Sequence, residues 1–510
     1  MRKFKGVRSD HPGTAASFWA QVAFVVATLS LLWPALLHGK PFLFADSSAY
    51  VRVVDAAVYK SIGYSSAWTR SGEVERLQEQ AKPGATQPAR PVAASEEEQL
   101  NQNRVPLLGR SVYYGMLAYG SALTGQFWLL GLIQAAAIAA VVLMFLTDLG
   151  AGEKRRRLWL ASLVLLLIAG TSTLPFFTSF VMPDVFAGVA ILAATMLIFS
   201  PNRMRGRTLF WFLLAAAAAL FHSSHVLIIG ALAVVGALIT LQQRQRNWGR
   251  VGLVLAAALT GIVGEMMFAK GVEAALGTPP IRPPFLTARL IDDGPGMRFI
   301  QERCATRRFY VCEFRDRLPQ ASDIFLWDPD PARGVFNTLD PAGKRRIAEE
   351  QGSFVLAVVL AYPGEVLAST TRSAAHQLGL MRLSEFRDID LGRGDAVSAP
   401  DAVVTGLHDA GRLAPYVDAY ANLSLVVAVL ALLALPFLVR MKLVDGRVAI
   451  MIVAGVLVNA LVCGGLSTPH DRYGARVLWV LPLLAASAMA RLAPSPRGSP
   501  RWRSEPISSL

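Results

Sequence analysis

Long apolar runs separated by short charged segments dominate the chain. A helix crosses the hydrocarbon core of a bilayer with about 20 mostly apolar residues, and ten runs approach that length: 15–38, 126–147, 158–176, 184–200, 208–222, 225–241, 250–269, 418–439, 447–466 and 475–491. The pattern predicts an all-α polytopic membrane protein with about ten transmembrane helices. The fifth and sixth runs are parted only by Phe221-His222-Ser223-Ser224-His225, which reads as a tight hairpin tip. The first run follows Met1-Arg2-Lys3-Phe4-Lys5, as a signal peptide would. It is too long and lacks a small-x-small cleavage site, so it reads as a retained anchor.

Two long segments interrupt the spans. The first, 39–125, contains a stretch from Gly72 to Arg104 rich in Glu, Gln, Ala and Pro, which reads as a loop. The second, 270–417, is punctuated by Pro and Asp. Its helix-like piece from Lys344 to Leu383 is interrupted at Pro363-Gly364 and is amphipathic enough to lie on a membrane surface. The expected organisation is a cytoplasmic N-terminus (1–14), a membrane module (15–269) with the outer loop 39–125, an outer region with amphipathic helices (270–417), C-terminal membrane helices (418–491) and a basic cytoplasmic tail (492–510).

Charge predicts the orientation. The chain carries a formal charge of +14, which in a soluble protein would suggest nucleic acid. Six alternate segments (Arg2 to Arg8, Lys154 to Arg157, Arg203 to Arg207, Arg244 to Arg250, Arg440 to Arg447, Arg491 to Arg503) hold 21 basic residues, against five acidic ones in or beside them (Asp10, Asp148, Glu153, Asp445 and Glu505), and the remainder is near neutral. Basic residues in short loops stay on the cytoplasmic side. The charge therefore predicts both termini in the cytoplasm and contact with membrane lipids, with no nucleic-acid partner. Cys304 and Cys312 fall in the outer region, where an oxidising compartment can close them into a short disulfide loop or leave two free thiols.

Ionisable residues at membrane depth are costly to keep and suggest function. Four places qualify, all on the outer face: Asp46 in Pro41–Tyr50, Asp184 after Pro183, the pair His222 and His225, and Pro469-His470-Asp471-Arg472-Tyr473. Each also has a structural reading. Asp46 and Asp184 stand where carboxylates cap helices. The histidines at i,i+3 are a weak metal pair, and Arg472-Tyr473 can be an interfacial anchor. Glu265 is expected to pair with Lys270, and Arg307-Arg308 to form a solvated loop face.

The arrangement resembles the GT-C superfamily of polyprenyl-phosphate-sugar-dependent glycosyltransferases, in particular the protein O-mannosyltransferase and lipid A aminoarabinose-transferase branch. The segment Arg110-Ser111-Val112-Tyr113-Tyr114 through Gly125 is similar to that family's interfacial helix. Ser179 to Gly188 is similar to its second acidic motif, and Asp471-Arg472-Tyr473 before Leu481–Leu484 resembles its final Arg-Tyr signature. Unlike many members, this chain has no second acidic residue beside Asp46, which is flanked by Ala45 and Ser47, and it lacks the Trp-Trp-Asp of oligosaccharyltransferases. The resemblance implies an inverting transfer from a polyprenyl-phosphate-linked sugar donor to a cell-envelope glycan, lipid or protein acceptor, at the periplasmic face of a bacterial inner membrane. It implies Asp46 as general base. Asp184 would orient the acceptor or, with Asp46, hold a divalent Mg or Mn. Arg472 would grip the leaving phosphate, supported by His470 and Tyr473, with Arg110 as a second phosphate ligand and Tyr50, His222 and His225 lining the site. The rival readings are a multi-pass transporter or lipid flippase, and a scaffold that assembles through its outer loops. The absence of an internal repeat or of matched broken helices argues against transport.

Overall fold

A computed structural model describes residues 12–70, 108–125, 127–150, 153–244, 247–306, 308–387 and 414–492. The Gly72–Arg104 stretch, Arg307, the first eleven residues and the basic tail beyond Leu492 lie outside the described residues.

Each of the ten apolar runs is helical. In chain order, α1 (Pro12–Leu29) continues through a 3-10 turn (Ser30–Leu32) into α2 (Trp33–His38). Then come α3 (Ala45–Ile62), α4 (Val112–Ala122), α5 (Trp128–Asp148), α6 (Lys154–Thr171), α7 (Leu174–Thr178), α8 (Val185–Phe199), α9 (Arg205–Phe221), α10 (Ser223–Gln242) and α11 (Trp248–Leu276). Seven stretches are long and apolar enough to cross a membrane: Ser17–His38, Trp128–Asp148, Ser223–Gln242, Trp248–Leu276, Pro415–Arg440, Gly446–Leu466 and Asp471–Leu492. The chain is a multi-pass membrane protein, all-α among the described residues, with one isolated parallel bridge between Phe42 and Phe180.

The three expected spans outside those seven differ for separate reasons. Helix α6 opens on four basic residues, and it stops at Thr171 where a span to 176 was expected. Helix α9 has 17 residues, and α8 has 15, all of them buried. At 1.5 Å per residue α8 reaches only about 22 Å, but its neighbours are protein helices, so it has no need to match the bilayer. Close approaches seat it: a Cβ on Gly188 would fall 2.6 Å from the Trp479 ring, and one on Gly455 would fall 2.5 Å from Ile191. At the end of α8 away from Asp184, the buried Asp148 carboxylate accepts from the Trp211 indole (2.8 Å) and the Ser200 hydroxyl (3.0 Å), with Arg207 at 3.5 Å.

The outer region folds around its own core. Helices α12 (Phe285–Asp292), α13 (Pro295–Arg303), α14 (Ser322–Trp327) and α15 (Pro341–Ala361) pack Ile300, Phe299, Phe325, Phe336, Phe354 and Val358 away from the membrane bundle's core. A disulfide joins Cys304 to Cys312 with the Cα atoms 5.9 Å apart. Glu265 pairs with Arg282 of this region, and Lys270 with Glu273 at 2.8 Å, in place of the expected Glu265–Lys270 pair. Once the chain turns at Gly277, with φ +73°, Arg282 comes back over the last turns of α11.

The piece from Lys344 to Leu383 does break at Pro363. Helix α16 (Pro363–Gly379) leaves α15 at a bend of 106°, because proline cannot donate the next helical hydrogen bond. After the short helix α17 (Ser384–Arg387), the described chain resumes with α18 (Ala414–Arg440), α19 (Gly446–Leu466), α20 (Asp471–Leu478), α21 (Val480–Ala486) and α22 (Met489–Leu492).

Candidate functional site

The site assembles from four stretches that are far apart in sequence. The strand-like bridge fixes the first two: Phe42 donates to the Ser179 carbonyl (2.8 Å) and Val181 to the Phe42 carbonyl (2.9 Å). The Ser47 hydroxyl then donates to the Val181 carbonyl (2.8 Å). These bonds tie the start of α3, with Asp46 in its first turn, to the segment that ends at Asp184 before α8. The third stretch is the N-terminus of α4, where the Ser111 hydroxyl accepts from the Tyr113 and Tyr114 amides and donates to the Leu220 carbonyl at 2.6 Å. Arg110, just before that cap, pairs with Asp46 through Nη2. The fourth is α20, where Arg472 and Arg476 are four residues apart and so share a helix face.

Arg476 is fully satisfied. It donates to Asp184 Oδ1 (3.2 Å), Asn459 Oδ1 (3.1 Å from Nη2), the Ser224 hydroxyl (3.3 Å) and Cys463 Sγ (3.1 Å), and it is 1% exposed. Arg472 is not satisfied. Its Nε lies 3.7 Å from Asp184 Oδ1, beyond hydrogen-bond reach, and Nε and Nη1 are both buried with no hydrogen-bond partner. Its guanidinium lies 4.4 Å over the Phe44 ring and 5.1 Å from the Tyr473 ring, and Nη2 meets the Tyr473 hydroxyl at 3.4 Å. Arg110 Nε and the Tyr50 hydroxyl are also buried without partners. Tyr50 stands one turn after Asp46 on α3, and the charges of Arg110, Asp46, Asp184 and Arg472 all act on its hydroxyl. Four of the expected residues thus meet around Tyr50.

The expected hairpin tip narrows to one residue. A single residue, His222, separates α9 from α10, and its Nδ1 accepts the Ser224 amide at 3.1 Å. His225 lies inside α10, fully buried, with Nδ1–H donating to the Ala218 carbonyl (2.9 Å) and Nε2 left without a partner. His225 and the Ser224 hydroxyl, which accepts from Arg476, face the bundle interior, while Ser223 is exposed. His470 lies at the edge of the site, half-buried, with its ring edge-on to Tyr473 (5.6 Å between centroids) and Nε2 3.6 Å from Asp323 of the outer region.

The outer region also grips α20. The Gln377 amide exchanges two hydrogen bonds with the His470 backbone (2.8 and 2.9 Å). Asp471 accepts from the Arg382 amide and the Ser384 hydroxyl, and Glu385 accepts the Arg472 amide at 3.2 Å. The Phe386 ring packs against Phe42, Phe176, Phe177 and Phe180, which lie in the segments leading to Asp46 and Asp184.

Arg476 escaped the sequence reading because it falls inside the apolar run 475–491. The available signal was a charged residue in a span, one turn from Arg472. Phe44, Asn459 and Ser224 carry no motif that marks them. Among the described residues no three His, Cys, Asp or Glu side chains group as metal ligands. Asp46 and Asp184 are each engaged by guanidinium groups, so the donor set, three arginines around two carboxylates, suits an anion and does not fit a divalent cation. In comparisons with known proteins, no family model, no curated protein and no solved structure matches the chain.

Proposed function

We propose that this chain is a GT-C-type membrane glycosyltransferase, which moves a sugar from a polyprenyl-phosphate donor to a hydroxyl of a cell-envelope glycan, lipid or protein, with inversion. The reading takes all ten helices as spans of a bacterial inner membrane, with both termini cytoplasmic and the site facing the periplasm. The observation that carries it is Arg472, a buried guanidinium with unmatched Nε and Nη1 donors, beside Arg110 and Arg476. Unmatched buried donors are expensive, and an oxyanion supplies the missing acceptors.

The chemistry suits that arrangement. The acceptor oxygen bonds to the sugar C1 as the bond from C1 to the phosphate oxygen breaks, and the bonding pair stays on the phosphate. The acceptor proton passes to Asp46. The phosphate goes from a singly charged diester to a more highly charged monoester, so cationic donors fixed in advance hold the transition state more tightly than the ground state. Arg472 supplies these donors in the fork geometry that fits phosphate. Asp184 fixes Arg476 and faces Arg472. No step is routed through a metal.

The test uses purified protein in lipid nanodiscs with polyprenyl-phosphate sugars and an envelope extract as acceptor, read as release of polyprenyl phosphate. Release by wild type and not by Asp46→Asn supports the reading. A fully active Asp46→Asn removes the base assignment. Movement of intact donor between leaflets without release would support the flippase instead.

A further inference from the structure

The elbow between α15 and α16 bears on none of this chemistry. From Gly352 to Thr371 the chain runs 20 residues with a single charge, Glu365, whose carboxylate pairs with Arg298 of α13. That is the length and composition of a span, yet the bend of 106° at Tyr362-Pro363 prevents the pair from crossing as one. The inward faces are used: Phe354, Ala357, Val358 and Tyr362 fill the outer core, while Ser369, Ser373 and Gln377 are buried along α16. The exposed positions are mostly apolar, Leu356, Val359, Leu360, Pro363, Leu367 and Ala368 among them, with Leu360 71% and Leu367 69% exposed, and the exposed Glu365 is neutralised by its pair with Arg298. Soluble surfaces seldom gather such a patch without a partner.

The surface next to the patch indicates the partner. Helix α16 crosses α19 at Gly464 and Gly465, where a Cβ would fall 2.7 Å from the Ser373 carbonyl and 2.8 Å from Thr370 Cγ2. Helix α19 is one of the seven membrane-length helices, and its Leu457, Leu461 and Leu466 side chains are exposed, as on a lipid-facing surface. The outward face of α16 therefore continues that surface at the end where α19 reaches Leu466. The ten uncharged residues Gly352–Ala361 extend about 15 Å, half the hydrocarbon thickness, so the elbow is long enough for one leaflet only. Arg298, stacked 4.7 Å over the Tyr362 ring and bonded to Glu302 and Glu365, sits on the α13 side of the bend. An aliphatic outer side beside a charged cluster at the bend is the make-up of an interfacial element.

We propose that the α15–α16 elbow is a wedge seated in the lipid leaflet on the side where α19 ends at Leu466, with Leu356, Val359, Leu360 and Leu367 in contact with acyl chains. This holds whatever reaction the arginine site performs. The test places a nitroxide at Leu360→Cys or Leu367→Cys in the full chain, in liposomes of phosphatidylethanolamine and phosphatidylglycerol, with Asp330→Cys as a solvent-exposed control. Oxygen should relax the labels at 360 and 367 several-fold more than a water-soluble nickel chelate, with the reverse at 330. Nickel accessibility at 360 and 367 equal to that at 330 overturns the wedge. So does dipolar broadening between labels, which would mean that a second copy covers the face. Should the cysteine variants fold poorly, Leu360→Trp read by brominated-lipid quenching against the background of the ten native tryptophans gives the same decision: added fluorescence that is quenched supports the wedge, and added fluorescence that is not quenched overturns it.

Discussion

At the scale of single residues, Arg472 and Arg476 have the same charge and share a helix face, yet their environments assign them different work. Arg476 has spent its donors on protein oxygens and a thiol, whereas Arg472 has kept Nε and Nη1 free. Arg472→Lys keeps the charge and loses the fork, so donor turnover should fall by about 10²-fold or more while the melting temperature in detergent hardly changes. Asp184→Asn acts oppositely. It leaves Arg476 buried without its counter-ion, so thermal unfolding should show a loss of about 3–5 kcal/mol. Equal losses of stability in both variants would remove the distinction. Asp46, Asp184 and Arg472 were legible in the sequence because charges beside apolar runs stand out. Arg476 was hidden by a run boundary drawn one residue before it, and Phe44 by being one apolar residue among many.

Elements decide how well those residues are aimed. The first turns of α20 are held by Gln377, Arg382, Ser384 and Glu385, and a Cβ on Gly474 would lie 2.0 Å from the Leu380 carbonyl oxygen. Backbone cannot yield there as a side chain would. Gly474→Ala should cost about 1–3 kcal/mol and shift Arg472 enough to lower turnover by more than about tenfold, read as a fall in kcat in the nanodisc assay. In the outer region, hydrogen bonds from Arg298 and Tyr362 hold the Glu302 carboxyl below its ordinary range. A carboxylate with a depressed folded pKa stabilises above its unfolded value, about 4.3, and loses that contribution as pH falls through the lower one. The melting-temperature advantage of wild type over Glu302→Gln should therefore be present at pH 6 and shrink as the pH is lowered below about 4. Helices of this kind are the most readable part of a membrane sequence, since a long apolar run has few other folds. Their junctions are less so. His222-Ser223-Ser224-His225 has loop composition, but His222 caps α10 by accepting the Ser224 amide, so helix resumes at Ser223 with its first free amides satisfied.

For the whole molecule, the outer region with its own core and disulfide stands on the bundle through α16 and the grip on α20. Charge segregation predicts that this region lies outside the cytoplasm, and the bond between Cys304 and Cys312 suits an oxidising compartment. In intact cells, alkylation before lysis should therefore leave both cysteines unmodified unless reductant is added, with a gel shift as the readout. Modification of either without reductant would mean that the loop faces the cytoplasm. That α8 is the central helix had a signal in the sequence, since Val185–Phe199 carries no charge and Thr195 is its sole polar side chain, so it is apolar all round where its neighbours are less uniformly so.

The salt link between Asp184 and Arg476 spans 292 residues. During synthesis the carboxylate enters the membrane long before its guanidinium leaves the ribosome, and until then it is a buried charge without a counter-ion. An insertion intermediate that must keep such a group near the interface, or hold it protonated, cannot settle α8 in its final place. The last long helix is therefore what completes the bundle, and chains that stop short of it should be cleared by membrane proteases as unfinished.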